Sequence, residues 1–198
     1  MTPATSERLT ITVAEGLTVS AISIRPTEAS ACYVLAHGAG HPFLEAVASE
    51  LGDRGIASLR YNFPFVERRS KRPDPPALAH ATVRAAVMKA REIAPELTLV
   101  AGGKSFGGRM TSQAQASSPL PAVRGLADLD HLRSLDERLG ERATLVELQD
   151  ADHSFHVPAR TGRKDGDVRA KLLNALTAWT RGFKGPTRDG QLTSERHV

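Results

Sequence analysis

The sequence predicts an α/β domain, a doubly wound and mostly parallel sheet with helices on both faces. Three observations carry this. Apolar runs at 31–36, 56–61, 97–101, 122–127 and 143–149 are nearly unbroken, as strands buried on both faces require. The segments between them repeat apolar residues at helical spacing, and this strand-then-helix alternation builds parallel sheets by crossover. With 198 residues, 40% hydrophobic and 24% charged, the chain can bury one substantial core.

The elements follow in order. Leu9 to Val13 and Thr18 to Ile24 alternate apolar and polar residues around Glu15-Gly16, which predicts an opening antiparallel pair. After the run 31–36, Leu44, Val47, Ala48 and Leu51 share one helix face, with Pro42 at its start and Gly55 past its end. Residues 62–76 are rich in Pro and Arg and predict a loop, and Ala79, Val83, Ala86, Val87, Ala90 and Ile93 then form a helical stripe. The strand 97–101 enters a glycine-rich turn, after which Gly108 to Gln113 begins another helix. Leu132, Leu135 and Leu139, closed by Gly140, predict a helix before the run 143–149. A loop is expected over 150–166, and Val168, Leu172, Leu176, Trp179 and Phe183 mark the last helix. Residues 184–198 read as a frayed polar tail behind a single domain spanning 1–183.

Composition narrows the function. The formal net charge is +4, but the basic residues are scattered apart from Arg68-Arg69-Ser70-Lys71-Arg72 and aromatics are 5% of the chain, so no nucleic-acid partner is expected and the basic run reads as a solvated loop. No run of eighteen apolar residues exists and residues 1–8 lack the order of a signal peptide, which predicts a cytoplasmic protein without a membrane segment. The single Cys32, inside Ala31-Cys32-Tyr33-Val34-Leu35-Ala36, reads as a core residue.

The chemistry centres on Gly102-Gly103-Lys104-Ser105-Phe106-Gly107. Gly-Lys-Ser between a strand and a helix invites a phosphate-binding P-loop, but that motif needs a glycine where Thr98 stands, inside the strand. The same residues fit Gly-x-Ser-x-Gly, a turn so sharp that the positions two before and two after the serine nearly collide. Gly103 and Gly107 fill those positions, which makes Ser105 the candidate nucleophile. The backbone N–H of Phe106 is the first candidate oxyanion donor, and the helix N-terminus favours negative charge beside it. The second donor is assigned to Gly38 or Ala39, in the turn His37-Gly38-Ala39-Gly40 that follows the strand 31–36. His153, after the last strand, has the pKa class of a general base at neutral pH. His156 adds a His-x-x-His spacing, but no third ligand cluster accompanies it and no metal is assigned.

Five motifs now stand in order: Leu35-Ala36-His37-Gly38-Ala39-Gly40, Arg60-Tyr61-Asn62-Phe63-Pro64, Gly102 to Arg109, Val123-Arg124-Gly125-Leu126 and Ala151-Asp152-His153. Together they resemble the small α/β-hydrolase family often labelled dienelactone-hydrolase-like, over about residues 8–183. Its eukaryotic relatives include a testis-expressed protein and the hydrolase-like domain of a chromatin-complex subunit. The resemblance implies a shortened α/β-hydrolase fold, because the turn at Gly40-His41-Pro42 is abbreviated and Leu126 runs straight into Ala127-Asp128-Leu129-Asp130 where relatives carry a further strand and a Gly-x-x-Asp acid. Asp128, at the end of the strand 122–127, is the provisional acid, since some hydrolases of this fold place theirs after that strand. Its competing role is to cap the helix of Leu132, Leu135 and Leu139.

The expected activity is a serine hydrolase of the esterase, lactonase or thioesterase kind. It would act on a small-molecule acyl substrate through Ser105, with no cofactor. Lys104 and Arg109 beside the elbow read either as attractors of an anionic substrate or as solvated charges. The alternative is a weakly active or inactive hydrolase-fold scaffold, which the missing acid segment favours.

Overall fold

The computed structural model describes residues 4–37, 42–129, 146, 148–152 and 154–183, excepting the side chains of His37 and Asp128. Six strands form one sheet: β1 (Ala4–Ala14), β2 (Leu17–Pro26), β3 (Ala31–His37), β4 (Ile56–Asn62), β5 (Thr98–Gly103) and β6 (Val123–Asp128). Their order across the sheet is β1-β2-β4-β3-β5-β6. The expected opening hairpin is present, longer than its alternating core, and β2 joins β4 antiparallel through Ala21↔Tyr61 to Ile24↔Ser58. The other three pairings are parallel.

Helices α1 (Pro42–Gly52), α2 (Pro64–Glu67), α3 (Pro76–Ile93), α4 (Phe106–Ser117) and α5 (Asp165–Arg181) complete the described elements. Strand alternation divides the core into two layers. Cys32, Val34 and Ala36 of β3 face Val83, Ala86 and Val87 of α3 and Met110 and Ala114 of α4. Tyr33 and Leu35 face Leu44, Val47 and Leu51 of α1 and Val168, Leu173 and Leu176 of α5. Both layers exclude water, and a fully buried side chain such as Leu35 contributes about 2 kcal/mol of transfer free energy. Cys32 lies in this core as expected, its thiol pushed up to about 12 by burial.

Two local features go beyond the sequence reading. The 62–76 loop contains α2, and Asp74 holds the segment folded. Its carboxylate is buried, accepts the Phe65 N–H at 2.9 Å and pairs with Arg68 at 2.5 Å. Arg68 is therefore engaged, while Arg69, Lys71 and Arg72 are solvated as expected. Gly125 of β6 explains the Val-Arg-Gly-Leu motif, because a Cβ there would lie 2.5 Å from the Trp179 ring and 2.8 Å from Phe183. Its bare backbone seats the edge-to-face pair of Trp179 in α5 and Phe183, which the sequence places in that helix but which lies just past its end at Arg181.

The predicted helix of Leu132, Leu135 and Leu139 lies outside the described residues, as does most of the run 143–149. Of that run, Val146, Leu148 and Gln149 are described; none of the three lies in a strand, and Gln149 begins a turn. The expected loop 150–166 contains a single 3-10 turn, Ala159–Thr161, and α5 begins inside its last residues.

Candidate active site

The sheet reverses its winding between β3 and β5. From β3 the chain crosses to β4 on one side, then passes back to β5 on the other. Ligand sites of open α/β sheets form outside the carboxyl ends of strands at such a reversal. Lys104 and Ser105 follow β5 at that edge, and Ser105 is exposed.

The backbone of Ser105 adopts φ 54° and ψ −119°. A non-glycine residue in this sparsely populated region costs of order 1–3 kcal/mol and persists only where its surroundings enforce it. They do so here. A Cβ at Gly103 would approach Ala36 O to 2.5 Å and the Gly107 carbonyl carbon to 3.2 Å, and one at Gly107 would approach Ala36 O to 2.5 Å. Both glycines thus let the elbow press on the end of β3 as well as on itself. Phe106 anchors the start of α4 from the other side, edge-on to Phe63 and Phe65 at 5.0 and 5.5 Å.

The helix start leaves a donor free. Gly107 N–H donates to Lys104 O and Arg109 N–H to Ser105 O, whereas the Phe106 N–H has no backbone acceptor among the described residues. It is the N–H, adjacent to the serine, that the sequence singles out as a candidate oxyanion donor. Gly38 and Ala39, the alternatives for the second donor, lie outside the described residues.

On the far side of the elbow, Asp128 ends β6 in register with Gly103, and the next residue, Leu129, donates its N–H to Gly103 O at 2.8 Å. The backbone of Asp128 therefore stands beside the strand that delivers Ser105. Its side chain is not described, nor is His153. The residues flanking His153 form a tight turn. Asp152 N–H donates to His156 O, Phe155 N–H donates to Asp152 O, and Asp152 Oδ1 accepts the N–H groups of Ser154 and His156 at 2.7 and 3.0 Å. The His156 N–H bond above all holds the Asp152 carboxyl below its usual range. With that oxygen committed to backbone, Asp152 acts as a turn brace. Farther on, Asp165 accepts the Val157 N–H at 3.0 Å and engages His156 Nδ1 at 2.5 Å, which raises the His156 pKa and lowers that of Asp165.

Sequence reasoning missed one contact at the elbow. Lys104 is half-buried, and its Nζ stands 5.4 Å from the Phe43 ring centre and 5.5 Å from that of Phe155. The two rings stack, 4.6 Å apart and 2° from parallel. Nothing local signals this, because the three residues come from three segments distant in sequence. Arg109 is exposed, 6.0 Å from the Phe106 ring.

Comparison with known proteins agrees with this architecture. A dienelactone hydrolase from Anabaena variabilis superposes with a TM-score of 0.54 at 21% identity, over 63% of this chain and 62% of that one. A cold-adapted esterase from an Arctic intertidal metagenomic library gives 0.51 at 18% identity, over 63% and 60%. The chain thus spans about three fifths of the length of these two relatives. An α/β serine hydrolase without a lid from Xanthomonas campestris gives 0.65 at 19% identity, over 90% of this chain and 97% of that one. At such identities the likeness is one of fold. No curated protein matches the chain. The family model described as an alpha/beta hydrolase domain matches residues 29–131, just over half of the sequence and the part that carries the elbow, and the chain belongs to that alpha/beta-hydrolase family.

Proposed function

We propose that the protein is a serine hydrolase that cleaves a small ester, lactone or thioester through an acyl-enzyme on Ser105. The observation that carries this is the strained, exposed backbone of Ser105, enforced by Gly103 and Gly107 against Ala36. Strain of this kind at a sheet edge has a use when it presents a nucleophile.

Ser105 Oγ attacks the acyl carbon while His153 takes its proton. The carbonyl oxygen becomes an oxyanion held by the Phe106 N–H and by that of Gly38 or Ala39. Collapse expels the alcohol or thiol, which receives the proton from His153, and water then repeats the sequence to release the acid. Asp128 orients the histidine, a role consistent with its register beside Gly103. The substrate is small, in keeping with the short chain and with the lidless Xanthomonas relative.

The test is p-nitrophenyl acetate turnover. Ser105→Ala and His153→Ala are each expected to lower kcat by at least about 10³-fold, and loss of the orienting carboxylate in Asp128→Asn by up to about 10⁴-fold. Equal turnover by wild type and Ser105→Ala would refute the nucleophile. No turnover by wild type would favour the scaffold.

A further inference from the structure

We propose that Lys104 is a positioning residue, a clasp that fixes the histidine-bearing loop and the loop after β3 onto the nucleophile elbow. The inference rests on the serine-hydrolase reading and assigns a role to a side chain that the reaction itself does not need.

Three segments must meet for such chemistry, and Lys104 stands in one of them and beside a residue close in sequence to each of the other two. It is bonded directly to Ser105. Phe43, in the first turn of α1, follows the turn of Gly38 and Ala39 closely in sequence. Phe155 follows His153 by two residues in sequence. Phe155 is fixed firmly. It is buried, has φ 63°, and its N–H is bonded to Asp152 O. The near-parallel Phe43–Phe155 stack joins the start of α1 to the loop of Phe155, and the ammonium, almost equidistant from both rings, adds the elbow.

The chemistry suits a clasp better than a solvated charge. Among the described residues Lys104 has no carboxylate within ion-pair distance, and its half-buried side chain reaches the flank of the stack, where the ammonium can lie over the face of one ring while bordering the edge of the other.

The experiment measures the second-order rate of fluorophosphonate labelling of Ser105 and, on the same proteins, amide hydrogen exchange across 154–157. Lys104→Met, which keeps the apolar stem, is expected to slow labelling about tenfold, because sub-ångström misplacement of catalytic groups is costly. Phe155→Leu does the same, and in the double variant the two losses do not add. Lys104→Arg, which keeps a cation beside the stack, restores most of the rate, a rescue that loss of packing volume alone does not predict. Lys89→Gln, on α3 and paired with Glu92, is the neutral control. Labelling within twofold of wild type in Lys104→Met overturns the clasp, as does a failure of Lys104→Arg to rescue. If wild type itself takes no label, the hydrolase reading fails, and hydrogen exchange decides the clasp alone. Faster exchange in Lys104→Met then supports it, and unchanged exchange overturns it.

Discussion

Placing a single methyl group at Gly107 tests the elbow's packing directly. Alanine is a better helix former than glycine by about 1 kcal/mol, and Gly107 lies in the first turn of α4, so intrinsic propensity alone predicts that Gly107→Ala stabilises the protein. The structure predicts the reverse. The new Cβ would sit 2.5 Å from Ala36 O and 3.0 Å from both Ala36 C and Ala36 Cβ. That is about 0.9 Å inside ordinary contact with a backbone atom of a central strand, so α4 has to move away from β3. Overpacking of this kind costs about 1–3 kcal/mol beyond the propensity gain, and the same shift displaces Ser105. We expect Gly107→Ala to lose about 2 kcal/mol in urea denaturation and about a hundredfold in fluorophosphonate labelling rate. Gly166→Ala provides the contrast. It makes the same substitution in the first turn of α5, where a Cβ meets nothing within 4 Å, and is expected to gain about 0.5–1 kcal/mol. Equal stability and labelling of Gly107→Ala and wild type would refute the argument that the glycine is there to let the elbow close on β3.

Other expectations follow from single contacts. Asp74→Ala leaves the buried Phe65 N–H without its acceptor and is expected to cost about 2 kcal/mol in thermal or urea unfolding, with Asp74→Asn costing less. The pair of His156 and Asp165 gives the 150–165 loop a pH window. His156 is raised, chiefly by its bond to Asp165 with Asp152 assisting and Lys104 opposing, so its contribution is complete below its unfolded value of 6.5 and is lost as pH rises through the higher folded value. Asp165 is lowered, chiefly by His156, so its share is complete above its unfolded value of 3.8 and is lost as pH falls through the lower folded one. An NMR titration of His156 should return toward 6.5 in Asp165→Asn, and an unchanged titration contradicts the pairing. Cys32 should resist iodoacetamide in the native protein and react only on unfolding, since its thiol is both buried and raised to about 12. Rapid native modification contradicts its place in the core.

Much of this architecture was legible in the chain because its signals are local. The runs that became β3 and β4 are nearly unbroken apolar stretches, interrupted in β4 by Ser58 and Arg60. The stripes on α1, α3 and α5 repeat at helical spacing, and the elbow is encoded by two glycines flanking one serine. What escaped was contact across distance. Asp74 looks like one more polar residue in a Pro-rich loop until its carboxylate is seen under Phe65 and Arg68. The four residues of α2 are too few to show a period. Lys104 carried two readings, substrate attraction or solvation, and neither included the Phe43–Phe155 stack, since phenylalanines 112 residues apart leave no pattern in sequence. Asp128 was placed at the end of its strand by the apolar run before it. Its register opposite Gly103 came only from the pairing of β6 with β5, which no local pattern specifies.

The central claim is that Ser105 is a nucleophile, and the intact mass of the protein after incubation with a fluorophosphonate tests it most directly. The account predicts one adduct per chain, mapped to the peptide containing Ser105 and absent from both Ser105→Ala and heat-unfolded protein. An adduct on another residue, or none on folded wild type, would contradict it.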